Sequence, residues 1–287
     1  MPQMPKTRVT AGDFSLIYDP SPSVVERWYI NDHTVWQDRE GLWHLVGITH
    51  AEPLAPLDEK HLAHATAPAL GGPWTRQPFA LSAMPEAGES VLWAPHVIEH
   101  DGVYWMFYCG GGASREQYRI HLATSTDAWN WTRHDANPLL IDGYEARDPM
   151  VLRVGDRWVM YYTATDEPHG GHHLVAACTS DDLVTWGERQ IVYRDEMTGS
   201  YAGPCESPFV FERDGRFYLF IGPWPPKRYR GTRVLVSDDP LSFDIGDQVG
   251  YIDAHALEVI VDEAGRCWCT HCGWNQGGVY LASLDWV

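Results

Sequence analysis

A chain of 287 residues that is 44% apolar and 21% charged, with no low-complexity tract, has the material for one large folded core. Its formal net charge of −18 argues against nucleic acid, anionic membranes and polyanionic substrates, because binding to each of these needs clustered Lys and Arg. No apolar run approaches the ~18 residues of a membrane span, and the N-terminal MPQMPKTRVTAG lacks a hydrophobic segment of the signal-peptide kind, so the expected location is cytoplasmic.

One element recurs along the chain: an apolar strand, a tight turn with Gly, then a strand heavy in aromatics. The copies are VWQDREGLWHLVGI, VIEHDGVYWMFYC, VLRVGDRWVMYYT, VFERDGRFYLFIG and VIVDEAGRCWCTHC, turning at Gly41, Gly102, Gly155, Gly215 and Gly265. Glycine suits these turns because tight hairpins demand positive φ. A further strand follows each hairpin (HLAHATAPALGGPWT, IHLATSTDAWNWT, LVAACTSDDLVTWG, VLVSDDPLSFD), and the fifth copy, VYLASLDWV, ends the chain. Repeats of ~50–60 residues made mostly of strand describe the blades of a propeller. The expected fold is therefore all-β, a five-bladed β-propeller forming a single domain over residues 1–287. The last blade lacks an outer strand, and the segment around Phe14–Tyr18 is the expected donor that closes the ring and covers the open edge.

The 14 Trp and 14 Tyr suit sheets, and flat sugar faces also pack on such rings. Among the six cysteines, Cys267, Cys269 and Cys272 form CWCTHC with His271. In a strand, 267, 269 and 271 share one face while 272 points away, so the reading is buried thiols and no metal site.

The innermost strand of each blade lines a central channel, where equivalent positions converge. Counting back from the turn glycines brings Asp32, Asp148 and Glu206 to the same end of three such strands. Trp93 and His96 fall there in the second copy, and His255 in the fifth. Carboxylates are rarely buried without partners, and three together repel one another. Glycoside hydrolysis uses such crowding: one carboxyl stays protonated to serve the leaving oxygen, while another is ionised as base or nucleophile.

These segments resemble the clan of five-bladed propeller glycoside hydrolases that includes families 32, 43, 62 and 68. WYINDH is similar to the Asn-Asp start of family 32, which implies Asp32 as base or nucleophile. ARDPMV carries an Arg-Asp-Pro motif, implying Asp148 as transition-state stabiliser. CESPFV implies Glu206 as general acid. WAPHV resembles the corresponding strand of family 43, and SDDLVTW is common across the clan. Arg-Asp-Pro points toward fructosides, whereas WAPHV and single-domain size point toward arabinosides or xylosides.

The resemblance further implies Arg147 as a ligand for a sugar hydroxyl, with neutralisation of the channel acids as its alternative role. Trp93 is a candidate stacking platform, His96 a candidate at the same strand, and Trp224 in GPWPPKRYRG a candidate on the pocket rim. His255 resembles a central histidine that supports a hydrated calcium or other ion in family 43; no cofactor is otherwise expected. The long segment Ala51–Lys60 is placed to close one side of the mouth. The expected activity is removal of terminal arabinosyl, fructosyl or xylosyl units from short oligosaccharides. A phosphorylase or transglycosidase of the same fold would need a cationic cradle, for which Lys227–Arg230 is the candidate, and a non-catalytic carbohydrate-binding propeller leaves the aligned acids unexplained.

Overall fold

The computed structural model describes residues 7–112, 114, 117–142, 145–199 and 203–287; the first six residues of the N-terminal stretch lie outside them. Two short strands come first, β1 (Val9–Ala11) and β2 (Ser15–Tyr18). Three antiparallel four-stranded sheets follow in chain order. The first contains β3 (Trp28–Gln37), β4 (Trp43–Ala51), β5 (His61–Ala67) and β6 (Thr75–Ser82). The second contains β7 (Val91–His100), β8 (Val103–Gly111), β9 (Arg119–Ser125) and β10 (Thr132–Arg133). The third contains β11 (Arg147–Val154), β12 (Arg157–Glu167), β13 (Gly170–Ser180) and β14 (Gln190–Thr198). Strands β15 (Glu206–Arg213), β16 (Arg216–Gly222), β17 (Thr232–Ser237) and β18 (Gln248–Ile252) repeat the pattern. They join through β1 to β21 (Val279–Trp286), β20 (Cys267–His271) and β19 (Val259–Val261). Among the described residues there is no α-helix, so none is long and apolar enough to cross a membrane.

The hairpins follow from their turn chemistry. Gly41, Gly102, Gly155, Gly215 and Gly265 all have positive φ, and Asp101 and Asp214 share it with the glycines that follow them, as paired left-handed turn residues do. The Asp-rich turns after β9 and β13 are side-chain caps. Asp127 Oδ1 accepts from the backbone N–H groups of Trp129 and Asn130, and Asp182 Oδ1 from those of Val184 and Thr185.

Packing arranges the sheets face to face. Ile48 and Leu62 of the first sheet meet Met106 and Tyr108 of the second. Phe107 and Leu122 meet Met160 and Tyr162 of the third, and Tyr161 and Val175 meet Leu219 and Phe220. Ile260 and Leu281 close back on Ile30 and Leu45. At the N-terminus, Ser15 pairs with Leu281 and Tyr18 with Val279, while Val9 and Ala11 pair with Trp286 and Leu284. Val9 also pairs in parallel with Gly250, so β1 stitches β18 to β21.

Candidate active site

Each innermost strand breaks its ladder at the same place. The pairing shifts between Asn31 and His33 in β3, Trp93 and His96 in β7, Arg147 and Met150 in β11, and Glu206 and Phe209 in β15. Asp32, Ala94, Asp148 and Ser207 at these breaks, and Ala256 in the fifth segment, all have positive φ between 23° and 55°. A non-glycine residue in that region is strained, and a bulge re-aims the side chains beside it. Two consecutive side chains per strand can thereby face the channel, which an ordinary strand would send to opposite sides.

The bulges correct the sequence register by one position. Counting from the turn glycines aligned Glu206 with Asp32 and Asp148. The bulges instead align Asp32 and Asp148 with Ser207, and Glu206 with Asn31, Trp93, Arg147 and His255. The set with Glu206 faces a cavity of about 480 Å³, except His255. The set with Ser207 faces a second cavity of about 310 Å³, where Ser207, Ala94 and Ala256 lie with His96 and Glu258. Asp32 and Asp148 line both and separate the two.

The three predicted acids therefore do come together, and one buried cation holds two of them. Arg147 donates from Nη1 to Asp148 Oδ2 at 2.7 Å, from Nη2 to Glu206 Oε1 at 2.8 Å, and from Nε to Glu145 Oε2 at 3.0 Å. Asp148 Oδ2 also accepts from the Ser207 backbone N–H at 3.0 Å and lies 3.1 Å from the Thr163 hydroxyl. The Ser207 hydroxyl donates to Asp32 Oδ1. Burial pushes Glu206 up to about 7; Arg147 opposes this and Asp148 adds to it. Asp32 is also held well above the usual carboxylate range, first by burial and then by the charge of Asp148, against the Ser207 hydrogen bond. Such acids share their protons as a set.

The walls come from a repeated place in the fold. The connector between second and third strands contributes Glu59 in the first sheet, Tyr118 in the second, Tyr229 after β16 and Trp274 after β20. The third sheet contributes none, because its connector is only residues 168–169. Tyr229 stacks on Trp274 with ring centres 4.4 Å apart, and its hydroxyl accepts from Asn31 Nδ2 at 3.1 Å. Trp93 packs edge-on against Tyr118 at 4.9 Å. Glu59 Oε1 accepts from Tyr29 Oη at 2.8 Å and Trp274 Nε1 at 3.0 Å, and burial pushes its carboxyl up to about 7 against these donors.

Of the other sequence candidates, Trp93 and Arg147 line the cavity of about 480 Å³ and His96 that of about 310 Å³. Trp224 lines neither; the Arg233 guanidinium lies 4.6 Å over its ring, and Tyr229 is the residue that this loop delivers to the wall. His255 lines neither cavity; its ring sits 4.0 Å from that of Tyr229. Both its ring nitrogens are buried without a hydrogen-bond partner among the described residues, and burial lowers its pKa to about 3. Among the described residues, no three His, Cys, Asp or Glu side chains are grouped so as to hold an ion directly. Cys267, Cys269 and Cys272 are free thiols, with Cys272 3.1 Å from His33 Nδ1. Counting from turns could not find Asn31, Glu59, Tyr118, Glu145, Tyr229 or Trp274.

The model of the glycosyl hydrolases family 32 N-terminal domain matches residues 26–254. A probable arabinan endo-1,5-alpha-L-arabinosidase C of Aspergillus flavus is 30% identical over 166 residues, which cover 55% of this chain and 50% of that protein. A probable sucrose-6-phosphate hydrolase of Psychromonas ingrahamii is 31% identical over 172 residues, covering 58% of this chain and 31% of the relative. The chain thus spans half the length of the first relative and under a third of the second. The crystal structure of a thermostable family-43 glycoside hydrolase superposes with a TM-score of 0.69 at 17% identity, over 94% of this chain and 92% of the other. That likeness establishes a shared fold.

Proposed function

This chain belongs to the glycosyl hydrolases family 32 N-terminal domain family, and on that premise we propose that it is a glycosidase that removes single terminal arabinosyl, fructosyl or xylosyl units from short oligosaccharides. The observation that carries the reading is the set of three buried carboxylates around Arg147 and Ser207 on the floor of a walled cavity. Glu206, with a pKa of about 7, is still substantially protonated at neutral pH and donates to the leaving oxygen. Asp32 attacks in its ionised form, as nucleophile or through water; burial and the charge of Asp148 oppose that form, and the Ser207 hydroxyl and Arg147 favour it. Asp148, already fixed by Arg147 and the Ser207 N–H, positions the sugar and stabilises charge developing on the ring. Arg147 donates to a carboxylate from each of its three nitrogens, which holds the acids in place, and the second N–H on each Nη is left to meet a sugar hydroxyl.

The endo action in the name of the Aspergillus relative asks for a groove open at both ends. Here Pro56 and Glu59 from one side and Tyr229 and Trp274 from the other narrow the cavity to a pocket, which favours terminal attack. Release of monosaccharide alone, from the first time points on a defined oligosaccharide, is the expected product pattern; early mid-chain fragments would overturn the pocket reading. The same assay on aryl arabinofuranosides, xylosides and fructosides should be unaffected by phosphate, whereas a phosphorylase would yield sugar phosphate. An ion beside His255 is a separate proposal supported by its two unpartnered ring nitrogens, and activity lost on chelation and restored by calcium is its test.

The proposed architecture is a single domain over residues 1–287, a five-bladed propeller with β2 and β1 completing the last blade. Its support is the pairing of both strands with β21 and the apolar contacts of Ile260 and Leu281 with the first sheet. Deleting residues 1–19 should expose the β21 edge and lower the melting temperature by about 10 °C or more. An unchanged melting curve would show that the N-terminal strands close nothing.

A further inference from the structure

We propose that Glu59 is a specificity-determining residue of this pocket: Oε1 fixes the aromatic wall while Oε2 accepts a hydroxyl of the terminal sugar. This rests on the glycosidase reading above and names a group that recognises the sugar. Glu59 is almost completely buried, at 1% exposure, and lines the same cavity as Asp32, Asp148 and Glu206. It forms no ion pair among the described residues. The neighbouring Lys60 turns outward to Asp58 at 3.0 Å, with both side chains more than half exposed.

A buried acid without a cation is expensive, and its known contacts do not need an acid. The Tyr29 hydroxyl and the Trp274 indole both donate to Oε1, and the Trp93 indole lies within reach of the same carboxyl. A neutral amide oxygen would accept the same two hydrogen bonds and brace the same wall, without the cost of burying a charge. What the carboxyl adds is a second accepting oxygen on a residue that lines the cavity, beside the Asn31 amide, the Arg147 guanidinium, the aromatic faces and the reacting acids. A sugar hydroxyl is the donor such an oxygen takes, because the buried acceptor loses its water when the ring enters the pocket. Glu59 also couples the two functions. Its hydrogen bond to Trp274 sets the ring that Tyr229 stacks on, so the hydroxyl contact and the stacking surface are fixed by one side chain.

The test is Glu59→Gln in the full chain, which keeps an acceptor for Tyr29 and Trp274 and turns an amide donor toward the cavity. For the aryl glycoside cleaved best, KM should rise about 10- to 100-fold while kcat stays within a few-fold. Among a series of monodeoxy versions of that glycoside, one should show the same KM in wild type and variant, because the hydroxyl that Glu59 receives is already gone. Binding of free L-arabinose, D-xylose and D-fructose, followed by calorimetry, should weaken in parallel. An unchanged KM overturns the proposal. So does a loss spread evenly over every deoxy substrate with a lowered melting temperature, which is the signature of a brace alone. Wild-type protein that binds a sugar but cleaves none would sink the glycosidase reading, and the calorimetry would still decide Glu59; protein that cleaves no glycoside and binds none of the three sugars would overturn both.

Discussion

Asp32→Asn is expected to leave no measurable turnover on any glycoside, while the folded variant melts above the wild type at neutral pH. No leaving group, however good, replaces the attacking oxygen, so activated aryl substrates and natural ones should fall alike. A loss of about 10⁴-fold or more corresponds to a barrier increase of at least about 5.5 kcal/mol. The gain in stability follows from the same burial. Asp32 is held well above the usual carboxylate range by desolvation and by Asp148, so the fold favours its neutral form. The stability that this protonation contributes is present below the ordinary Asp value and is lost as pH rises through the raised one. The melting advantage of the amide should therefore be absent in acid and should open as pH approaches neutrality. The asparagine oxygen still accepts from Ser207, so that hydrogen bond need not be lost. Single-turnover kinetics and melting curves from pH 4 to 8 measure both effects, and near-normal activity in folded Asp32→Asn would remove Asp32 from the mechanism.

The floor of the site was legible in the sequence because it is built from the repeat. Turn glycines recur at fixed places, the strand before each turn is innermost, and acids at its start must meet. The register was off by one because a bulge leaves no mark in composition: Asp32, Ala94, Asp148, Ser207 and Ala256 share a backbone conformation but no residue type. The walls were hidden for a different reason. Glu59, Tyr118, Tyr229 and Trp274 lie in connectors of unequal length, and ring closure alone brings them together. A signal was available, since all four occupy the connector after a repeat's second strand. Following that connector through each copy would have singled out Tyr229 in GPWPPKRYRG, where Trp224, the larger ring, drew attention instead. Arg147 was legible as a neighbour of Asp148, but its three-way pairing needed Glu145, which precedes the strand and carries no repeat signal.

Glu206→Gln is expected to split substrates by leaving group. On an oligosaccharide, whose departing alkoxide needs a proton, the loss should be about 10³- to 10⁴-fold; on a dinitrophenyl glycoside it should be within about tenfold. Equal losses on both would mean that Glu206 binds rather than donates. The pH profile gives a second, independent reading of the same group. Only protonated Glu206 can donate, so wild-type kcat/KM on the oligosaccharide should fall as pH rises through about 7. Glu59 also titrates at about 7 in the same cavity, but with the opposite consequence. Its ionisation strengthens an acceptor for a sugar hydroxyl and so favours binding as pH rises. A falling basic limb therefore cannot come from Glu59. It should persist in Glu59→Gln and vanish from Glu206→Gln assayed on the dinitrophenyl substrate, where the rate depends on Asp32 alone. A basic limb that survives in Glu206→Gln would place the titrating acid elsewhere, and Glu145, joined to the same guanidinium at 3.0 Å, would be the next carboxyl to substitute.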